Sequence, residues 1–251
     1  MLEIIPYGRL GNNILQLIKC IYVNIEYYKH KEINFDLIKN KNKELFKNFP
    51  QVFVFDFPTN DELIRDTFWD INVEENKKLV KNIITKYIQP YIDYNLKDSN
   101  GINFDNDLII HIRSGDILSE NFPLNNYIQP PYSFYTKIIE MYNFENIYIL
   151  SENYNLNPVI SKLLDNHTNI NFLSNDLETD FKIMLNAQFF VNSNSTLSMA
   201  INSLSKNKKT IFVSSWSKGY HDFKCIFINS SDYYCLHNTT YAEKINNMLN
   251  F

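Results

Sequence analysis

The sequence predicts an α/β fold with a parallel β-sheet covered by helices on both faces, and three observations support this prediction. From residue 108 onward, short apolar segments alternate with helical patterns, which is typical of a parallel sheet. The first of these segments, Leu108-Ile109-Ile110, is wholly apolar, as in a buried strand. Hydrophobic residues make up 45% of the 251 residues, so the chain is able to form a substantial core.

The first hundred residues contain fewer elements. A strand over Glu3–Ile5 leads through a glycine-containing turn to a helix in which isoleucines between residues 14 and 25 share one face. Asn12 or Asn13 is expected to cap this helix. Pro90 is expected to end a later helix. That helix is predicted over Glu74–Tyr87, and two further strands are predicted over Ile33–Leu37 and Val52–Phe57.

Residues 107–251 carry the regular alternation and are predicted to form one domain. The polar stretch Asn95–Asn106 separates it from a domain over residues 1–100. Strands are expected over Leu108–Ile112, Ile147–Leu150, Ile170–Leu173, Phe189–Val191, Thr210–Val213 and Cys225–Ile228. Helices are expected over Tyr132–Tyr142, Asn157–Leu164, Thr179–Ala187, Leu197–Leu204 and Tyr241–Leu249.

Composition and charge argue against several classes of protein. The net charge of -4 gives no support to a nucleic-acid partner, and no apolar run is long enough to span a bilayer. The three cysteines (Cys20, Cys225 and Cys235) lack metal-ligand spacing, and the N-terminus lacks a signal-peptide pattern. These features predict a cytoplasmic protein with reduced thiols and without a metal site.

The segment His111-Ile112-Arg113-Ser114-Gly115-Asp116 follows the first strand of the second domain. Gly115 allows the chain to turn sharply. The chain has only three arginines and five glycines, so an arginine near a glycine is a specific choice here. Arginine suits forked contacts with phosphate. A ligand site and a surface ion pair between Arg113 and Asp116 both account for this segment.

Three other positions suggest anion or base recognition, each with a plainer alternative. Asp180 lies at a helix start, where the helix dipole favours it, but an acidic residue there also suits the donor edge of guanine. The run Asn192-Ser193-Asn194-Ser195-Thr196 contains more polar residues than helix capping requires, and its amides and hydroxyls suit phosphate oxygens. The turn Gly8-Arg9-Leu10-Gly11-Asn12-Asn13 is either structural or an anion site at a helix start.

Together, these motifs resemble the alpha-1,2-fucosyltransferase family and the wider superfamily that includes alpha-1,6- and protein O-fucosyltransferases. The glycine turn, the H-x-R-x-G-D segment and the Asp180 and serine-rich segments stand in the family's order across most of the chain. The chain departs from the common family pattern in several places. Ser114 and Asn13 occupy positions where Arg and Gln are usual, and Ser198-Met199 stands where tryptophans often follow the last motif. Gln129-Pro130-Pro131 suggests an uncharacterised branch of the superfamily.

The resemblance implies a GT-B-like glycosyltransferase in which two Rossmann-like domains with parallel sheets face a cleft. It implies an inverting reaction without metal or cofactor, from GDP-fucose or another nucleotide sugar to a hydroxyl of a glycan acceptor, free or lipid-linked. Arg113 and His111 would bind the donor diphosphate. The implied donor-binding residues are Gly11, Asn12, Asp180, Phe181, Asn194, Ser195 and Thr196.

The general base and the presence of catalysis stay open at this point. Asp116 and Glu120 are the nearest carboxylates to the central motif, and a structural role is the alternative for both. The roles considered for Asp116 are to act as the base or to orient Arg113. A non-catalytic glycan- or nucleotide-binding protein on the same fold is the alternative to an enzyme.

Overall fold

A computed structural model describes residues 2–4, 9–26, 53–55, 73–95, 104–118, 129–152, 157–206, 208–213, 224–228 and 241–250. The chain divides into two compact units. The first comprises Met1–Gly101, Met199–Leu204 and Gly219–His221, and the second comprises Ile102–Ser198, Ser205–Lys218 and Asp222–Phe251. The predicted assignment of Rossmann-like domains to residues 1–100 and 107–251 stays a prediction.

The second unit is built on a six-stranded sheet in which every pairing is parallel. Its strands are β3 (Leu108–His111), β4 (Ile147–Leu150), β5 (Ile170–Leu173), β6 (Phe189–Val191), β7 (Thr210–Val213) and β8 (Lys224–Phe227). They lie in the order β5-β4-β3-β6-β7-β8. The predicted α/β class with a parallel sheet is therefore confirmed for this unit, whereas the two-domain GT-B arrangement stays a prediction.

The central strand β3 is buried on both faces of the sheet. Successive residues of a strand point to opposite faces. Ile109 and Ile110 of β3 are adjacent and both fully buried. One face packs against helices α4 (Tyr132–Met141), α5 (Pro158–Asn166) and α8 (Tyr241–Asn250), which supply Phe134, Val159 and Met248 to a common core. Each fully buried aliphatic side chain contributes roughly 1.5–3 kcal/mol to folding. This core therefore holds the three helices against the sheet.

Helix α6 (Leu177–Asn186) has defined contacts at both ends. Its N-cap, Asp176, accepts a hydrogen bond from the Thr179 backbone N–H at 2.8 Å, so the helix begins two residues earlier than predicted. At the other end, the buried Lys208 ammonium donates to the carbonyl oxygens of Met184 and Ala187, the latter at 3.0 Å. A cation at a helix C-terminus is favourable, and the Phe190 ring lies 4.8 Å from the same ammonium.

The first unit differs from prediction in the direction of its strands. Its described strands, β1 (Leu2–Ile4) and β2 (Phe53–Phe55), pair antiparallel, with Leu2 opposite Phe55. The parallel sheet predicted for this unit is therefore wrong for this pair. Apolar runs identify strands but carry no direction, which depends on how often the connecting chain crosses the sheet. The strand predicted over Ile33–Leu37 lies outside the described residues.

Helix α1 spans Leu10–Glu26 and begins before its predicted cap. The Asn13 N–H donates to the Arg9 carbonyl at 3.1 Å, so Arg9 occupies the N-cap position. The prediction that Asn12 or Asn13 caps this helix is wrong, because both lie inside its first turns. Gly11 is also helical, so the described part of the glycine turn is a helix start.

A proline is accommodated within a second helical segment that the structure describes in the first hundred residues. Helix α2 (Val73–Ile83) passes through a π-helical turn, Ile84–Ile88, into α3 (Gln89–Asn95), so Pro90 does not end the helix as predicted. The Gln89 N–H donates to the Ile84 carbonyl, five residues back. This wider turn changes the hydrogen-bond register just before Pro90, which lacks an N–H group of its own.

The start of β3 is tied to β4 by Asp107, which yields a test of the fold. Its Oδ1 atom accepts hydrogen bonds from the backbone N–H and the side-chain amide of Asn146, both at 3.0 Å. Asp107→Ala leaves both donors without this acceptor, so we expect a loss of about 1–3 kcal/mol in the free energy of unfolding by urea. Asp165→Ala, at an exposed aspartate of α5, is the matched control and should change it by less than about 0.5 kcal/mol. Equal effects of the two substitutions would contradict this assignment.

Candidate functional site

The candidate site lies where the strand order of the sheet reverses. The chain runs from β3 outward to β4 and β5, then returns to β6 on the other side of β3 and continues to β7 and β8. Where the connections that follow two neighbouring parallel strands run to opposite sides, a crevice forms at the carboxyl ends of those strands. Open α/β sheets bind ligands there. In this unit the crevice is formed by the residues that follow β3 and β6.

The sequence motifs after β3 and β6 meet at this crevice. Nδ1 of His111, the last residue of β3, lies 2.8 Å from the Ser193 hydroxyl and 2.8 Å from the Ser198 hydroxyl. Ser193 follows β6, and Ser198 lies in the first turn of α7 (Thr196–Leu204). The structure thus joins two segments that are more than 80 residues apart in sequence.

The serine-rich segment adopts its conformation through capping of α7. The Ser195 hydroxyl accepts the Ser198 backbone N–H at 3.1 Å, which is the N-cap bond of this helix. The Ser195 N–H donates to the Ser193 carbonyl at 2.8 Å. Helix geometry leaves the N–H groups of Thr196 and Leu197 outside the intrahelical ladder. Thr196 is partly exposed, whereas Asn194 and Ser195 are buried.

His111 is neutral at pH 7. Burial lowers the pKa of its imidazole from 6.5 to about 4, and the positive charge of Arg113 lowers it further in the same direction. The imidazole therefore acts through hydrogen bonds, and the nearby positive charge belongs to Arg113. The Arg113 side chain is partly buried, two residues beyond the end of β3.

A second polar cluster holds the chain immediately after Arg113. The Ser114 hydroxyl accepts hydrogen bonds from Ser151 at 2.8 Å and from the Asn157 amide at 2.9 Å. The same amide donates to Gln129 at 2.8 Å, and Asn157 Oδ1 caps α5 by accepting the Val159 N–H. All four side chains of this Ser114 cluster are buried. Ser114 is thus the centre of a buried network.

Ser151, Asn157 and Gln129 are not among the site residues that the sequence predicts. Asn157 carried a usable signal, because an asparagine before Pro158 is a typical helix start. Nothing local pairs it with Ser114, however, since the two residues are 43 positions apart.

Gly115 is required by its backbone conformation. Its φ angle of +70° lies in the left-handed region, which side chains with a Cβ atom rarely adopt. A Cβ atom there would also lie 2.9 Å from Oε2 of Glu152. The sharp turn predicted after the arginine is therefore confirmed.

The structure describes the remaining candidate residues to different extents. Asp180 lies in the first turn of α6, where it accepts a hydrogen bond from Asn175 at 3.0 Å. Burial raises its pKa to about 6, against the lowering effect of Asn175, and Asp176 raises it further. Phe181 is fully buried in the core. Its contact with a base stays a prediction.

Other candidates fall in the first unit or outside the described residues. Gly11 and Asn12 lie in the first turn of α1, and Asn12 is partly exposed. The Asp116 backbone belongs to a short 3-10 helix over Gly115–Leu118, but its side chain lies outside the described part of the chain. Glu120 also lies outside it, so the roles considered for both carboxylates stay predictions.

Acidic groups in the described ranges do not form a metal cluster. No group of three or more His, Cys, Asp or Glu side chains is close enough there to hold an ion. The D-x-D triplet Asp105-Asn106-Asp107 precedes β3, at the edge of the sheet opposite His111. Asp107 there binds Asn146. Within the same ranges, no helix combines the length and apolarity needed to cross a membrane.

Comparisons with known proteins leave the family open. Neither protein-family models, nor curated proteins, nor solved structures match this chain.

The low pKa of His111 predicts a pH-dependent stability. Between pH 6.5 and 4 the unfolded chain binds a proton at His111 that the folded chain does not bind, so stability falls as the pH is lowered through this range. The loss due to this group is at most about 3 kcal/mol. Urea unfolding at pH 7 and pH 5 measures it. His111→Gln should flatten the slope and His167→Gln should keep it; a wild-type slope in His111→Gln would contradict the assignment.

The Ser114 cluster predicts that Asn157 is important for stability. Asn157→Ala removes the cap of α5 and leaves Gln129 and Ser114 without a buried donor, so we expect a loss of about 2–4 kcal/mol. Asn166→Ala, at the exposed end of the same helix, should cost less than about 1 kcal/mol. Thermal and urea unfolding would measure both, and a similar cost for the two would rule out a special role for the cluster.

Proposed function

We propose that this protein is an inverting, metal-independent glycosyltransferase that binds a nucleotide sugar, GDP-fucose in the first instance, and transfers the sugar to a hydroxyl of a glycan acceptor. One observation carries the proposal: the imidazole of His111, beside Arg113, is hydrogen-bonded to Ser193 and Ser198 at the point where the sheet order reverses. This juxtaposition unites two of the three motifs on which the resemblance to fucosyltransferases rests.

The chemistry of the crevice suits a diphosphate. Arg113 is the one positively charged residue of the H-x-R segment, and a guanidinium binds phosphate oxygens through two parallel hydrogen bonds. The start of α7 adds backbone N–H groups at the positive end of a helix dipole. Both features would stabilise the negative charge that develops on the diphosphate as the sugar leaves.

The other candidate residues have corresponding roles in the proposal. The Asp180 carboxylate would accept hydrogen bonds from the donor edge of guanine. Thr196 would contact the phosphates through its hydroxyl and N–H, while Asn194 and Ser195 would shape the same loop. The donor-binding roles that the resemblance implies for Gly11 and Asn12 stay predictions.

Calorimetric titration with GDP, GDP-fucose and UDP, with and without EDTA, tests this function. We expect the guanine ligands to bind, UDP to bind at least tenfold more weakly, and EDTA to have no effect. Arg113→Ala should weaken GDP binding at least tenfold, because a hydrogen bond to a charged group contributes about 1.5–3 kcal/mol. Lys137→Ala removes a positive charge from an exposed position of α4 and should leave binding unchanged.

The other outcomes of this titration have definite meanings. Preferential binding of UDP would reassign the donor to another nucleotide sugar. Binding of GDP without release of fucose to any acceptor or to water would favour a non-catalytic binding protein. Binding of none of the three ligands would overturn the proposal.

A further inference from the structure

Three serine hydroxyls form a closed triangle behind His111. The Oγ–Oγ distances are 3.1 Å between Ser193 and Ser195, 3.2 Å between Ser195 and Ser198, and 3.1 Å between Ser193 and Ser198. All three side chains are buried, whereas His111 is only partly buried. We call this group the serine triangle.

The hydroxyl protons of the serine triangle are all used within it. Ser193 donates to Ser195, and Ser195 donates to Ser198. The third side of the triangle is then made by Ser198 donating to Ser193, a contact in which either atom is able to donate. Each hydroxyl has one proton, so three contacts consume three protons.

When all three contacts of the triangle are hydrogen bonds, His111 supplies the proton for its own contacts with the triangle. Nδ1 lies 2.8 Å from both Ser193 and Ser198, and neither hydroxyl has a second proton to donate. Neutral imidazole carries a single N–H. With that proton on Nδ1 and shared between the two oxygens, Nε2 carries a lone pair and accepts hydrogen bonds.

We infer that Ser193, Ser195 and Ser198 are positioning residues that hold His111 in its Nδ1–H tautomer, so that Nε2 is the base for the acceptor hydroxyl. This inference rests on the proposed transferase function. It also changes the role expected of His111 from the motif resemblance. Diphosphate oxygens only accept hydrogen bonds, so a bare Nε2 would not bind them, whereas a hydroxyl donates to it readily.

In the transfer step, one proton moves to His111 and one electron pair leaves with the diphosphate. The acceptor hydroxyl gives its proton to Nε2 as its oxygen forms a bond with the anomeric carbon of the sugar. The bond from that carbon to the diphosphate oxygen breaks, and its electron pair leaves with the diphosphate beside Arg113. The resulting imidazolium keeps its Nδ1–H bond to the serine triangle and releases the Nε2 proton to water afterwards.

Donor binding would prepare this base. The positive charge of Arg113 is one of the two causes that lower the pKa of His111. A diphosphate bound to Arg113 offsets that charge, so the imidazole becomes more basic when the donor is present.

Nitrogen-15 NMR of the labelled free protein at pH 7 tests the tautomer directly. The His111 signals are assigned by their loss in His111→Gln. We expect a pyrrole-type shift for Nδ1 and a pyridine-type shift for Nε2 in the wild type. The opposite pattern would overturn the inference, whether or not the protein binds a nucleotide.

Variants separate the serine triangle from general effects of substitution. Ser195→Ala and Ser193→Ala each leave one hydroxyl proton free to turn to Nδ1, so the tautomers should become mixed. Ser193→Ala keeps the N-cap of α7, which guards against loss of folding. Ser203→Ala removes a buried hydroxyl on the same helix that donates to the Met199 carbonyl, and it should leave the tautomer unchanged.

Release of GDP from GDP-fucose, with water as the acceptor, tests the catalytic part. Ser193→Ala should retain GDP affinity and lower kcat on the order of tenfold, whereas His111→Gln should lower it by about 100-fold or more. A mixed tautomer with an unchanged kcat would overturn the role of base. Failure of the wild type to bind GDP or GDP-fucose would overturn the proposed function and that role together, while NMR would still decide the tautomer.

Discussion

Burial of β3 on both faces is the constraint on which the rest of the second unit depends. Leu108, Ile109 and Ile110 have no exposed surface, so the strand offers no position for polar chemistry along its length. Polar side chains become possible only where the strand ends, at His111 and beyond. Because this edge is still largely closed to water, those side chains must bond to one another, and an unpaired polar group there would cost about 1–3 kcal/mol.

Two clusters satisfy this requirement in different ways. The Ser114 cluster consists of neutral groups that do not titrate near pH 7, and it fixes the backbone next to Arg113. The serine triangle contacts Nδ1 of a titratable ring, and we infer that it determines which nitrogen of that ring carries the proton. The Ser114 cluster therefore fixes the chain just after Arg113. The serine triangle acts on His111, just before Arg113 in the sequence, and gives its two ring nitrogens different roles.

Local sequence patterns were sufficient for the elements of the sheet but not for their connections. The strands Ile147–Leu150 and Thr210–Val213 were predicted to the residue, because short apolar runs bounded by polar residues have few alternatives. The antiparallel pairing of β1 and β2, and the passage of a helix through Pro90, depend on contacts and hydrogen-bond registers that no local pattern contains. The same holds for the site, since His111 contacts the serines because the strand order of the sheet places β3 next to β6.

The buried ammonium of Lys208 has a consequence outside the candidate site. It is held against carbonyl oxygens at the end of α6, and burial lowers its pKa well below the usual value. Because burial causes this lowering, the pKa returns towards its usual value whenever Lys208 is exposed, and the side chain is shielded from solutes while it stays buried. Acylation of Lys208 by a small reagent would thus proceed only as fast as the protein opens locally around β7 and the end of α6. The rate of acylation therefore reports the rate of that local opening.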